Sequence, residues 1–155
     1  MIIEEKELGP LVKSFKSRGK KIVLVGGCFD VLHPAHIKFL QKARSEGDVL
    51  ILLLESDKNI KKLKGGNRPI NTFEIRSKKL ESSGFIDLIV KLSDSPNDEY
   101  YYNLTKLIKP DIIALTKNDP LTQKKKDQAE LAGGKIVEVM NRDETHSSTK
   151  IINKK

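Results

Sequence analysis

Lys21-Ile-Val-Leu-Val-Gly-Gly-Cys-Phe-Asp-Val-Leu-His-Pro-Ala-His36 is the stretch on which the fold turns. Residues 22–25 are an unbroken apolar run, of a length suited to a buried strand. Gly26 and Gly27 follow, where the chain can turn or another group can approach the backbone closely. Pro34 suits the first position of a helix, and Ile37, Phe39, Leu40 and Ala43 supply one apolar helical face. The pattern predicts a strand, a glycine turn and a helix start that holds His33 and His36. At that spacing the two histidines share one helix face, about one turn apart. A helix N-terminus offers N–H groups and partial positive charge, which favours phosphate.

Working outward, four more runs read as strands, over 49–54, 86–90, 111–115 and 136–139. Helices are expected over 8–18, from Pro34 to a stop at Gly47, and from Asn71 to Gly84. In that third helix Glu74 has capping-box spacing, and Ile75 and Leu80 face the core. Further helices are expected from Asn97 to Ile108, from an Asp119-Pro120 start to Gly133, and from Ser147 to Ile152. Residues 59–63 read as a helical turn and 64–69 as a mobile loop. This alternation, with no repeat and no linker, predicts a single α/β domain over 1–155. Its form is a Rossmann-like, doubly wound, five-stranded and mostly parallel sheet with helices on both faces. Ligands in such sheets bind beyond the carboxyl ends of the strands. The residues able to do chemistry fall after strands: 28–36, Ser56-Asp57, 116–119 and 142–149.

Composition narrows the function. A net charge of +8 suits an anionic ligand, nucleotide or nucleic acid. Aromatic residues make up only 5%, the lysines are spread out, and no nucleic-acid module signature appears, so no nucleic acid is expected. The longest apolar run, 49–54, is far too short to cross a bilayer, and no membrane partner is expected. The N-terminus shows no secretion signal, and one cysteine fits a reducing cytoplasm. Cys28 has no identifiable base, which favours a small residue behind the site over a nucleophile.

Three readings stand for His33 and His36: no role, zinc ligation, or phosphate chemistry beside a glycine turn. No Cys, Asp or Glu nearby completes a tetrahedral set. Ser147, Ser148 and Thr149 at a helix start read as an ordinary cap or as a phosphate grip. The stretch 61–70 with Arg76 reads as a solvated basic loop or as a cationic flap over a triphosphate.

The residues also resemble a family. Gly27-Cys-Phe-Asp30 followed by His33-Pro-Ala-His36 is similar to the G-x-F-D…H-x-G-H signature of the cytidylyltransferase-like nucleotidyltransferases, with Ala35 where glycine is usual. Ser147-Ser-Thr149 resembles their second signature, and Arg142 stands where the glycerol-3-phosphate cytidylyltransferases place an arginine. Ser56-Asp57, Lys61-Lys-Leu-Lys-Gly65 and Arg68-Pro-Ile-Asn71 are similar to the heptose 1-phosphate adenylyltransferases. Thr116-Lys-Asn-Asp119 departs from their pattern.

The resemblance implies transfer of a nucleotidyl group from an NTP to a small phosphorylated acceptor, with Mg²⁺ as cofactor. The catalytic residues it implies are His33, His36, Lys64 and Arg76. Nucleotide contacts fall to Gly27, Cys28, Phe29, Asp30, Asp57, Arg68, Asp119, Arg142, Ser147, Ser148 and Thr149. No residue is assigned as a dedicated metal ligand, although Asp30 can orient the motif or approach the metal. Related enzymes are often homodimers, and the resemblance carries that arrangement with it. Two rival classes remain, a nucleotide-binding protein that has lost turnover and a basic nucleic-acid-binding domain.

Overall fold

The strand over Val49–Leu54 is buried at every position and lies inside a wholly parallel sheet. In this computed structural model, which describes residues 1–141, the sheet has six strands. They are β1 (Ile2–Ile3), β2 (Ile22–Gly27), β3 (Val49–Leu54), β4 (Leu88–Lys91), β5 (Ile112–Lys117) and β6 (Lys135–Asn141). Their order is β1-β4-β3-β2-β5-β6, and every pairing is parallel. The helices are α1 (Leu8–Ser17), α2 (Pro34–Arg44), α3 (Asp57–Lys64), α4 (Phe73–Ser82), α5 (Asp98–Ile108) and α6 (Thr122–Leu131). The expected helix over 147–152, with Arg142, His146, Ser147, Ser148 and Thr149, lies outside the described residues.

Successive side chains of a strand point to opposite faces, and this sorts the core into two layers. Ile22 and Leu24 of β2 join Leu8 and Val12 of α1, Leu104 and Ile108 of α5 and Ala129 of α6. Val23 and Val25 join Phe39, Leu40 and Ala43 of α2 with Phe73 and Leu80 of α4 on the other face. The strand starts are tied side to side by aspartates. Asp48, Asp111 and Asp87 each accept a backbone N–H, from Lys21, Ile22 and Leu50 respectively, at 2.8 Å.

The route of the chain places the site. From β2 it builds β3 and β4 on one side, then crosses back to lay β5 and β6 on the other. Strand order reverses at β2, so a crevice opens beyond the carboxyl ends of β2 and β5.

Several expectations need correction. The sheet has six strands, not five. β1 is two residues long, too short to show a period, and forms by adding Ile2 and Ile3 to the edge of β4. Helix α4 starts one residue late: Thr72 is the N-cap, accepting from the Ile75 N–H, while Asn71 is held elsewhere. Ile75 is exposed, because that start turns it away from the sheet. Asp119 lies before α6 rather than capping it, its carboxylate accepting from Leu121 N at 2.7 Å. Residues 57–64 form a capped helix, with Ser56 Oγ accepting from Asn59 N.

Leu52 is fully buried in β3, between neighbours on both sides. Leu52→Ala is expected to lower stability by about 2–5 kcal/mol in urea melts, with an unchanged m-value.

Candidate active site

The helix start holds its two histidines by a reciprocal pair of hydrogen bonds. His33 is the N-cap of α2, and its Nδ1 accepts from the Ala35 N–H at 3.1 Å. His36 reaches back, and its Nδ1 accepts from the His33 N–H at 3.1 Å. A ring nitrogen that accepts carries no proton, so both neutral imidazoles bear theirs on Nε2. Pro34 has no N–H, and His36 N–H goes to the His33 carbonyl at 2.9 Å. The first turn therefore commits its amides internally and presents imidazole donors in their place, which alters the expected phosphate contact at the helix end.

Phe29 sets the position of His36. Its ring meets the His36 ring edge-on, with centroids 5.7 Å apart, and the two histidine rings meet similarly at 6.2 Å. Phe29 adopts φ 45°, a left-handed conformation that a bulky residue keeps only when its surroundings over-determine it. Gly27 makes this fit possible: a Cβ there would stand 2.9 Å from the Phe29 ring.

An open cavity of about 210 Å³ lies at the switch point, walled by the ends of β2 and β5. Among the expected residues, Gly27, Cys28, Phe29, His36, Lys64 and Asp119 line it together. Ala35 is not in its lining, so its methyl takes no space there. Burial pushes the Cys28 thiol up, with Lys64 opposing, so the group is a poor nucleophile.

Three expected residues, Asp30, Arg68 and Arg76, are buried outside the cavity wall, and His33 and Asp57 also stand outside it. Asp30 is 1% exposed, and its carboxylate accepts from Arg68 Nε at 2.7 Å and from the N–H groups of Ile70 and Asn71 at 2.9 Å. Burial works to raise its pKa, but these donors and the Arg68 charge outweigh it and hold it below the usual carboxylate range. Arg76 is fully buried and donates to the carbonyls of Asn71, Cys28 and Glu55 and to Asp57 Oδ1. Its place is that of a clamp joining the ends of β2 and β3 to α4, not the open phosphate ligand the sequence suggests. Within the stretch 61–70, α3 runs through Lys64 and Arg68 is anchored on Asp30.

Two groups escaped the sequence reading. Lys125 lines the cavity beside Thr116 and pairs with Asp119 at 3.0 Å. Within the run of lysines at 124–126 only helix phase selects it, and that phase depends on where α6 starts. Glu55, in contrast, is an acidic residue at the end of an apolar strand, a signal that sequence alone offers. It is buried at the end of β3 and accepts from Tyr101 Oη at 2.7 Å and Asn59 Nδ2 at 2.8 Å.

Residues 24–154 match the cytidylyltransferase-like family. The chain belongs to that family. It is a nucleotidyltransferase by that membership. Similar sequences include the bifunctional protein HldE of Sulfurimonas denitrificans, 44% identical over 107 residues, covering 69% of this chain and 22% of that protein. The bifunctional protein HldE of Haemophilus influenzae is 37% identical over 154 residues, covering 99% of this chain and 31% of its own length. The chain thus spans under a third of the length of these relatives.

Two solved structures share the fold. A lipopolysaccharide core biosynthesis protein from Thermoplasma volcanium has TM-score 0.64 and 23% identity, over 81% of this chain and 100% of its own. A pantoate-beta-alanine ligase from Francisella tularensis has TM-score 0.69 and 18% identity, over 98% of this chain and 75% of its own.

Among the described residues no three His, Cys, Asp or Glu side chains are grouped to hold a metal. No helix among them is long and apolar enough to cross a membrane.

Asp30 supplies a pH test. Its folded pKa is depressed, so its contribution to stability is complete above the unfolded value, near pH 4, and is lost as pH falls through the folded value. Asp30→Asn is expected to cost about 3–5 kcal/mol at pH 7, because Arg68 stays buried without its carboxylate. The gap to the parent protein should narrow below pH 4 in denaturant melts followed across pH.

Proposed function

We propose that the chain transfers a nucleotidyl group from an NTP, ATP in preference to CTP, to a sugar phosphate and releases pyrophosphate. The carrying observation is His36, held with its Nε2–H as donor in a cavity that also contains Lys64 and the glycine turn of β2. An acceptor phosphate oxygen attacks the α-phosphorus in line, and pyrophosphate leaves from the far side. Such chemistry asks the protein for positioning and charge stabilisation. A donor fixed before the reaction stabilises charge that builds on a phosphate oxygen without reorganising.

His36 donates to the triphosphate and needs no change of protonation to do so. His33 holds the helix start and adds a second Nε2–H beside it. Lys64 and Lys125 supply positive charge at the cavity, where pyrophosphate develops. The hydroxyls of Ser147, Ser148 and Thr149 belong to the same grip on the resemblance of their motif.

Among the described residues Mg²⁺ finds no ready protein cage. Asp30 is engaged by Arg68, Asp57 by Arg76 and Asp119 by Lys125. The ion therefore belongs to the substrate in this reading, carried by the phosphates of the NTP.

Preference for ATP and a sugar phosphate rests on the likeness of residues 56–71 to the heptose adenylyltransferases and on the similarity to HldE sequences. A cytidylyltransferase acting on a polyol phosphate such as glycerol 3-phosphate is the second reading, favoured by the spacing of Arg142 to Ser147-Ser-Thr149.

Two measurements test the proposal. His36→Ala should lower turnover by about 10²-fold or more. It should also lower stability by about 1 kcal/mol through the lost helix cap, and His36→Gln, which keeps a capping acceptor, should restore stability. Full turnover in His36→Ala would remove His36 from the chemistry. Thermal shift against the four NTPs with Mg²⁺ tests the base, since a ligand at a hundred times its Kd adds about 2.7 kcal/mol. A shift with CTP and none with ATP would reverse the base preference.

A further inference from the structure

Lys124, Lys125 and Lys126 follow one another in α6, and the fold treats each differently. Lys124 pairs with Asp98 at 3.2 Å with both side chains largely exposed, and Lys126 faces solvent. An exposed pair of that kind holds its partners only weakly. Lys125 stands about one helix turn before Ala129, which is fully buried, so it lies on the face of α6 turned toward the sheet. Its Nζ is 3.0 Å from Asp119 Oδ2, and the two side chains are only 21% and 17% exposed.

Asp119 is itself fixed at both ends. Its Oδ1 accepts from the Leu121 N–H at 2.7 Å, and its carbonyl accepts from the Thr122 N–H at 3.1 Å and from Thr122 Oγ1 at 2.6 Å. The carboxylate is therefore placed by the start of the same helix whose first turn carries Lys125. A lysine has a flexible four-carbon stem, and without an anchor its ammonium samples many positions. Here one oxygen of Asp119 serves the helix start and the other holds the ammonium in the wall of the cavity that contains His36 and Lys64. An ammonium has three N–H donors, and this pairing uses one of them.

We infer that Asp119 is a positioning residue for the transfer reaction: it fixes Lys125 before substrate arrives, and Lys125 gives its remaining N–H groups to phosphate oxygens as charge builds on the leaving pyrophosphate. The inference rests on the proposed transfer and replaces the direct nucleotide contact that the sequence suggests for Asp119. In that step the acceptor oxygen bonds to the α-phosphorus, the bond from the α-phosphorus to the bridging oxygen breaks, and its electron pair leaves with pyrophosphate. Lys125 stays an ammonium throughout, and no proton moves. A cation fixed beforehand stabilises the new charge without reorganising. A carboxylate beside phosphates opposes them by charge alone. The two roles open to Asp119 therefore predict opposite signs. As a bystander charge, its loss favours the anion and its turnover; as a positioning residue, its loss slows turnover while binding is kept.

Pyrophosphate release by the full chain, with Mg²⁺, the NTP giving the largest thermal shift and a panel of sugar phosphates, reads these signs. Asp119→Asn keeps an oxygen for the Leu121 N–H, so its melt should stay close to that of the parent. Its kcat should fall about tenfold or more, with KM for the NTP unchanged or lower. Lys125→Met should fall at least as far, Lys125→Arg should keep part of the rate, and Lys126→Met, the same change of charge one residue on, should match the parent. The double variant Asp119→Asn, Lys125→Met should be no slower than Lys125→Met, because Asp119 acts through the lysine. A further loss in the double variant would give Asp119 a substrate contact of its own and overturn the inference, as would turnover in Asp119→Asn at or above that of the parent. Acetic anhydride labelling, read lysine by lysine in a mass spectrometer, tests the pair without turnover. Lys125 should react slowly in the parent, several-fold faster in Asp119→Asn, and more slowly still in the parent with Mg²⁺ and inorganic pyrophosphate. Equal labelling of Lys125 in parent and Asp119→Asn would overturn the pairing. Failure of every NTP to bind would strike the transfer reaction itself, and the labelling with pyrophosphate would still judge whether Asp119 holds a phosphate-gripping lysine.

Discussion

The reciprocal bonding of His33 and His36 sets the chemistry of this site. Each Nδ1 is spent on a backbone N–H of the same helix turn, so each Nε2 carries the proton. A helix start ordinarily offers its amides to an anion. Here Pro34 has none, and those of Ala35 and His36 are used inside the turn. What the turn offers is a pair of imidazole donors with a defined tautomer. The Phe29 ring packs against His36 and narrows its orientation further, at the cost of a left-handed backbone beside Gly27.

Beneath this turn lies a charged layer. Arg76 joins the carbonyl ends of β2 and β3 to α4, and Asp30 gathers Arg68 with the amides of Ile70 and Asn71. Burying such charges carries a large desolvation cost, which is offset only when their hydrogen bonds are extensively met. The Arg76 cluster meets that condition, and both clusters converge on residues 28–30, the link between β2 and the histidines. Their effect is to hold one conformation of a short turn that the glycines alone would leave loose. Cys28 of this link, with Gly26 and Gly27 before it, lines the open cavity at the switch point.

Periodicity made much of the fold legible. The runs over 22–25 and 49–54 are buried on both faces, so their apolar character is continuous and their ends are sharp. Helix α5 begins where Asn97 caps it, as the local chemistry suggests. Other starts were misjudged because two neighbouring residues compete for one role. Asn71 and Thr72 can each cap α4, and the choice falls to Thr72 because Asn71 is drawn to Asp30 from 41 residues away. β1 shows no period at all, since two residues cannot, and its pairing depends on the open edge of β4.

Sequence by itself determined the parallel α/β class, the burial of β2 and β3, and the placing of two histidines at a helix start after a glycine turn. These follow from local spacing, which is the same whatever the rest of the chain does. Only the tertiary structure decided which cations reach the cavity. Arg68 and Arg76 look as available as Lys64 and Lys125 along the chain, yet the two arginines are buried beneath the site and the two lysines line it. The physical reason is that a planar guanidinium can satisfy several acceptors at once and so tolerates burial, but the acceptors it finds, at Asp30, Cys28, Glu55 and Asn71, come together only when distant strand ends meet.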